Sequence, residues 1–309
     1  MEELMDTQLR TFLTVCETMN FTQAARKLFL TQPAVSQHIH TLEKKYGLPL
    51  FAHRGRNLEL TPAGKTLAAY ARLLQTDEAL LVRKMEACQQ GVRRLTFGVT
   101  LTIGEYGIAR PAAQYLKAHP EVELTLIFGN TRELLQQLDR GTLDFALVEG
   151  YYPPESYDHL LFRLEPFVPV CAARHQFARE PQLCRDLLPE RLLVREPGSG
   201  TRNILERNLA LQGITLDQFA HRAQVGNMHA LIQLLEEDCG ITFLYRIAVE
   251  KEAAAGRVRL LPLKDFSMVH PFDFIWPKDS LFAPEIRVIC QELMESKGNS
   301  PYSSLTRRL

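Results

Sequence analysis

Apolar residues near the start of the chain recur at steps of three and four, and the polar residues between them gather on the opposite side. Leu9, Phe12, Leu13 and Cys16 predict a first helix, which Asp6 can cap. A second short pattern runs from Thr22 to Leu30 and is apolar at Ala24, Ala25 and Leu28. A third opens at Thr31, whose hydroxyl suits an N-cap. It places Pro33 in the first turn, where a missing N–H costs no intrahelical bond. Val35, Ile39, Leu42 and Tyr46 then share one side. Pro33, Gln37, His40 and Lys44 project from the other, with Ser36 at its edge. The break between the second and third patterns is too small for an ordinary loop. This predicts a helix-turn-helix with Pro33 to Lys45 as the recognition helix. Gly47 is a natural stop, and Leu50–Phe51 to Leu60 reads as two short strands around Arg54-Gly55-Arg56-Asn57, a wing with two arginines near its tip.

The next pattern is longer. Thr61 caps and Pro62 starts a helix in which Leu67, Ala71, Leu74, Glu78, Leu81, Met85 and Cys88 repeat at alternating spacings of four and three. Running to Gln90, it would be about 40 Å long. A seam so narrow, breached once at Glu78, favours a partner helix over the domain that follows in the same chain. Gly91 breaks the helix.

From Arg94 strands and helices alternate. RLTFGV is a strand, followed from Thr100-Leu101-Thr102 by a helix through His119. Val122 to Gly129 is a strand, and a helix runs from the Asn130-Thr131 cap through Arg140. Further strands fall at Phe145 to Glu149, Phe167 to Ala173, Leu192 to Glu196, Ala223 to Gly226, ITFLY, VRLLPL and VHPFDFIW. Helices are predicted from the Pro197–Thr201 loop to Leu211, from Asn227, after ITFLY, and from Pro284 to Ser296. The grammar is open α/β with mostly parallel sheets. The Phe167 and Val269 strands sit where the chain could cross between two lobes and return.

Composition changes the picture locally. The chain of 309 residues is long enough for two or three domains, and its formal charge is zero. Between Asn20 and Leu58, however, Arg26, Lys27, Lys44, Lys45, Arg54 and Arg56 face only Glu43, so 6 − 1 = +5. A basic face on a neutral chain fits a modular binder of double-stranded DNA. No apolar run approaches a membrane span, and the acidic, polar N-terminus is not that of a signal peptide. A cytoplasmic protein is expected. The six cysteines are scattered without a CxxC, which points to free, mostly buried thiols.

The run FTQAARKLFLTQPAVSQHIHTLEKKYGLPLF, followed by LTPAG, resembles the N-terminal domain of LysR-type transcriptional regulators. The shared positions include Ala24–Ala25, Leu28, Gln32-Pro33-Ala34-Val35-Ser36, Ile39, Leu42, Glu43, Gly47, Leu50–Phe51, Leu60–Thr61 and Ala63–Gly64. Two departures are Phe29, where a helix-turn-helix often carries Gly, and His53 with Arg54 beside it, where the family often has Arg two residues after Leu-Phe. The resemblance implies an all-α winged helix-turn-helix domain over 1–61, a dimerising linker helix over 62–91 and a two-lobed α/β effector domain over 92–298. That last domain would be built like a type II periplasmic binding protein; by its own polar composition the tail over 299–309 reads as disordered. The resemblance also implies a homodimer or homotetramer that bends DNA and acts on transcription, with RNA polymerase as a candidate partner.

Candidate DNA contacts are Thr22, Gln32, Pro33, Ser36, Gln37, His40 and Lys44, with Arg54 and Arg56 on the phosphate backbone. Ligands of open α/β sheets bind beyond the carboxyl ends of the strands. Those ends carry Thr100, Thr102, Asn130, Thr131, Glu149, Ser199, Gly200, Thr201 and Asn227, with Arg195 and Arg202 nearby as sources of charge. Several lie at predicted helix N-termini, which favour anions, so a small anionic effector is expected. Glu149 could bind an amine or hold Arg195 or Arg202, and each hydroxyl could simply cap its helix. No metal or cofactor is expected. The chain lacks G-x-S-x-G, H-E-x-x-H, P-loop and dinucleotide glycine motifs, so an enzyme is not expected. A DNA-architectural protein without an effector, or a solute-binding protein, is the competing reading.

Overall fold

In a computed structural model, which describes residues 5–55 and 57–295, three helices and a hairpin form the N-terminal unit. They are α1 (Thr7–Thr18), α2 (Phe21–Leu28), α3 (Gln32–Tyr46), β1 (Phe51–Arg54) and β2 (Asn57–Leu60). Asp6, Asn20 and Thr31 each cap the helix that follows by accepting a backbone N–H. The expected α2 ends two residues early, because Phe29 takes the left-handed conformation that closes the turn (φ 56°). Phe29 thus supplies the geometry that Gly provides elsewhere, at a steric cost. Phe12, Val15, Ala24, Val35, Ile39, Leu42 and Leu50 make one core with Ala68 and Ala71 of the next helix.

That helix, α4 (Pro62–Gln89), is capped by Thr61 and ends at Gly91, which is left-handed as expected. Its two faces behave differently. Thr76, Asp77, Leu80 and Ala87 are buried, and Thr76 Oγ1 donates to the Asp139 carbonyl at 2.7 Å. Arg83 reaches the Gly141 carbonyl at 2.9 Å and Lys84 pairs with Glu285 at 2.8 Å. The helix therefore does pack on the domain that follows it, the option that the seam alone disfavoured. Tyr70, Leu74, Leu81 and Met85 nonetheless stay exposed in a stripe along the other face.

The rest is a two-lobed α/β structure. The first lobe holds β3 (Arg93–Thr100), α5 (Leu101–Tyr106), α6 (Ala109–Ala118), β4 (Val122–Gly129), α7 (Thr131–Asp139) and β5 (Phe145–Val148). The chain crosses on β6 (Tyr157–Ala172). The second lobe holds β7 (Arg191–Val194), α8 (Gly200–Leu211), β8 (His221–Gln224), α9 (Met228–Glu236), β9 (Ile241–Tyr245), α10 (Arg246–Ala254) and β10 (Val258–Leu260). It returns on β11 (Met268–Pro277), and α11 (Ala283–Glu295) packs back on the first lobe beside α6. The strand order is β4-β3-β5-β11-β6-β9-β7-β8, with β10 on β6.

Three expectations are corrected. The sheet is mixed: β3 runs parallel to β4 and β5, and β7 to β8 and β9, but β6 and β11 are antiparallel to each other and to their neighbours. Strands that carry the chain between lobes in opposite directions must pair that way. β6 starts ten residues before Phe167, at Tyr157, because its first half pairs with β11 from Tyr157↔Pro277 onward. The helix expected through His119 is broken at Gly107–Ile108, since Pro111 has no N–H to continue an uninterrupted ladder. The final helix is described through Glu295, and the expected last residue Ser296 and the tail 299–309 lie outside the described residues.

Candidate DNA-reading face and inter-lobe site

The polar side of α3 is open to solvent. Gln32, Pro33, Gln37, His40 and Lys44 are exposed and Ser36 is half-buried. Gln32 Nε2 donates to Ser36 Oγ at 3.0 Å, one turn apart, which pre-orders both groups. The lone acid of the basic window is engaged: Glu43 Oε1 accepts the Leu50 N–H at 2.8 Å and so ties α3 to the start of the wing. His38 is also turned inward, its Nδ1 2.9 Å from Thr11 Oγ1. Thr22 is exposed in the first turn of α2 and Arg54 is exposed at the end of β1, while Arg56 lies outside the described residues. Ser36, His40 and His53 line one shallow cleft of about 250 Å³ between α3 and the wing, whose wall also includes Glu43. Of these, His53 was not among the expected contacts.

The effector candidates separate into two groups. Asn130 and Asn227 are working caps: Asn130 makes a capping box with Glu133, and Asn227 accepts the Ala230 N–H at 2.9 Å. Thr100 and Ser199 stand at N-cap positions without capping. The hydroxyls of Thr100 and Thr131 are buried with no hydrogen-bond partner. These unspent donors distinguish a site from a set of helix ends.

Glu149 joins the lobes. Its Oε1 accepts from Thr102 Oγ1 on α5 at 3.2 Å and from Thr201 Oγ1 on α8 at 3.3 Å. Its other oxygen has no partner. Burial pushes this carboxyl up to about 7, against the Arg195 charge and the two hydroxyls, which lower it. Neither expected arginine bonds to it. Arg195 is spent on Glu196, at 2.9 and 3.0 Å, and on the Gly226 carbonyl. Arg202 is spent on Glu206, Gln224 and the Arg195 carbonyl. Their charges are compensated, so the site offers hydroxyls and helix amides more than free cations.

Thr131, Gly150 and Gly200 meet closely. A Cβ on Gly150 would stand 2.2 Å from Thr131 Oγ1, and one on Gly200 2.9 Å from the same atom. Gly150 was not a sequence candidate, nor was Tyr245, whose hydroxyl donates to the Glu149 carbonyl at 3.2 Å. Tyr245 is the last residue of a strand, so the rule that found the other candidates could have found it. The site opens into a groove of about 1420 Å³ lined by Thr131, Tyr151, Ser199 and Asn203 from the lobes and by Gln75, Thr76 and Ala79 from α4.

Two family descriptions match the chain: "Bacterial regulatory helix-turn-helix protein, lysR family" over residues 7–65, and "LysR substrate binding domain" over residues 89–297. The chain is 29% identical to the RuBisCO operon transcriptional regulator of Acidithiobacillus ferrooxidans over 94% of both chains. It is 30% identical to the HTH-type transcriptional regulator CysL of Bacillus subtilis, over 86% of this chain and 89% of that one. Among solved structures, an OxyR C206 mutant of Corynebacterium glutamicum shares the fold, with a TM-score of 0.57 and 23% identity over 94% of this chain and 90% of that one. These likenesses favour a regulator over a solute-binding or purely architectural protein. Among the described residues no helix is long and apolar enough to cross a membrane.

Proposed function

The chain belongs to the LysR family of DNA-binding transcriptional regulators, and on that premise we propose how its residues divide the work. Residues 1–61 bind DNA, 62–91 pair two subunits, and 92–298 hold the effector. In the DNA-binding part, α3 enters the major groove. Gln32, Ser36 and Gln37 meet base edges or phosphates there, Pro33 packs at the groove, and His40, Lys44, Thr22, Arg54 and Arg56 hold the phosphate backbone. The observation that carries this reading is the exposed polar side of α3, whose one neighbouring acid, Glu43, is held by the Leu50 N–H. Pairing through the exposed stripe of α4 would set two such helices about one helical turn of DNA apart. Dimers of dimers, and contact with RNA polymerase, belong to the same proposal.

The effector is a small metabolite with an acidic group, bound between the lobes. Thr100, Thr102, Thr131, Glu149, Ser199, Gly200 and Thr201 line its site. Asn130, Arg195, Arg202 and Asn227 support them as caps and ion-pair partners. Because Gln75, Thr76 and Ala79 wall the same groove, a ligand there would bear directly on the helix that pairs subunits. The test is footprinting of the full chain on promoter DNA across a salt series, with and without metabolite pools. Salt-sensitive protection that a metabolite alters is expected, and S199W should abolish the response. Protection that no metabolite changes would leave a DNA binder without the sensing role.

A further inference from the structure

Glu149 takes part in no ion pair at hydrogen-bond distance, and it caps no helix. One of its oxygens accepts hydroxyls from both lobes, and the other is buried without a donor. A carboxyl group thus already stands where the donors of the two lobes converge. Above about pH 7, where Glu149 is ionised, a second carboxylate brought to the same buried place would meet like charge in a poorly solvated setting. A buried acceptor with no donor is itself costly, so a donor arriving there would be favoured.

We propose that Glu149 sets which ligand the inter-lobe site accepts: its carboxyl fills the carboxylate position, so that the ligand group reaching it must donate a hydrogen bond. The inference rests on the reading of the cleft as the effector site and adds the ligand's chemistry. The group next to Glu149 is an ammonium or a hydroxyl. The ligand's acidic end lies toward Thr131 and the first amides of α8, where Ser199 and Gly200 stand. The class is a short amino acid or hydroxy acid, or a derivative that keeps both ends.

The experiment is thermal melting of the full chain at a pH of about 8.5, where Glu149 is ionised. In E149A the carboxylate position is vacant, so about 100 mM acetate, compared with chloride at equal ionic strength, should raise the melting temperature by about 3 °C or more. Wild type should not respond. An acetate shift that is equal in both proteins, or absent from both, overturns the proposal. If E149A does not yield folded protein, E149S leaves the same position open and is read in the same way. Glycine and glycolate added to wild type separate the two donors: the one that shifts melting beyond acetate names the group, and a shift from neither overturns the donor requirement. A metabolite that alters the wild-type footprint and is blocked by S199W upholds the inter-lobe reading whatever acetate does, so the two claims can fail separately.

Discussion

The Ser280 hydroxyl donates to the Asp77 carboxylate across 2.6 Å, and the Leu281 N–H donates to the same side chain at 2.9 Å. Asp77 and Ser280 are both buried, and their bond fastens the middle of α4 to the first lobe. Movement of that lobe must therefore reach the helix that leads to the DNA-binding unit. Asp77→Ala leaves the buried Ser280 hydroxyl unmatched and the part-buried Leu281 N–H to solvent, and should cost about 1–3 kcal/mol, the desolvation penalty of one buried donor. Urea denaturation of the full chain measures it. Asp77→Asn keeps an acceptor and should cost less.

The exposed stripe of α4 makes a second prediction. Leu81 and Met85 are 38% and 62% exposed in the single chain, which is unusual for two apolar residues one turn apart beside Leu74 and Tyr70. L81E with M85E should not disturb the fold of a single chain, since neither side chain is buried, but should prevent pairing. Sedimentation should show the change from dimer to monomer, and affinity for DNA should fall by more than about tenfold as the two-site contact is lost. A variant that sediments like wild type would place the subunit interface elsewhere.

On the DNA face, Q32A and Q37A should each weaken specific binding by about 1–3 kcal/mol if the side chain reads a base. K44A should weaken binding to every sequence alike and reduce the slope of affinity against salt by about 0.9. Because Gln32 is bonded to Ser36, S36A should reproduce part of the Q32A loss by freeing the amide. Titration by fluorescence anisotropy at several salt concentrations distinguishes these cases.

Much of this was legible in the sequence where the cause is local. Thr31 and Thr61 could be read as caps and Gly47 and Gly91 as stops, because each acts within one turn of its own position. Phe29 departs from the usual Gly, yet the turn holds because Ala24, Leu28 and Val35 must still reach one core. What escaped depends on distant partners. Nothing near Asp77 announces Ser280, which follows it by 203 positions. The first half of β6 carries polar residues such as Asp158, His159 and Arg163, and its strand character comes from pairing with β11. At the inter-lobe site all the strand-end residues looked alike. Only the structure separates Asn130 and Asn227, which cap, from Thr100 and Thr131, which keep unspent hydroxyls.

The close approach of Gly150 to Thr131 within the first lobe gives a fourth prediction. Gly150→Ala would put a methyl group 2.2 Å from Thr131 Oγ1, a distance no packing tolerates, so α7 must shift away from the strand end. Overpacking of this kind costs typically about 1–3 kcal/mol. Thr131→Ser retains the hydroxyl and removes a methyl, and should recover part of that loss in the double variant. Equilibrium melting of the two single variants and the double one gives the coupling directly, and strict additivity would mean the two residues do not meet.

Glu149 gives the last prediction, in pH. Its carboxyl has an ordinary value of 4.5 and burial raises it to about 7 in the folded chain. The folded state therefore binds the proton more tightly than the unfolded state. Its contribution to stability is fully present below about pH 4.5 and is lost as pH rises to about 7, above which it stays constant. Asp144, Glu165 and Asp273 are also raised, chiefly by burial, and act with the same sign. The comparison must therefore be a difference. E149Q keeps an oxygen for Thr102 and Thr201 but cannot ionise. Relative to wild type it should gain stability steadily between about pH 4.5 and 7, by roughly 3 kcal/mol in all, since each tenfold difference in proton affinity between the folded and unfolded states is worth about 1.4 kcal/mol. Denaturant unfolding of both proteins at several pH values checks the slope. A constant difference across that window would mean that Glu149 titrates as an ordinary exposed carboxylate and that its bonds to Thr102 and Thr201 do not close off the site.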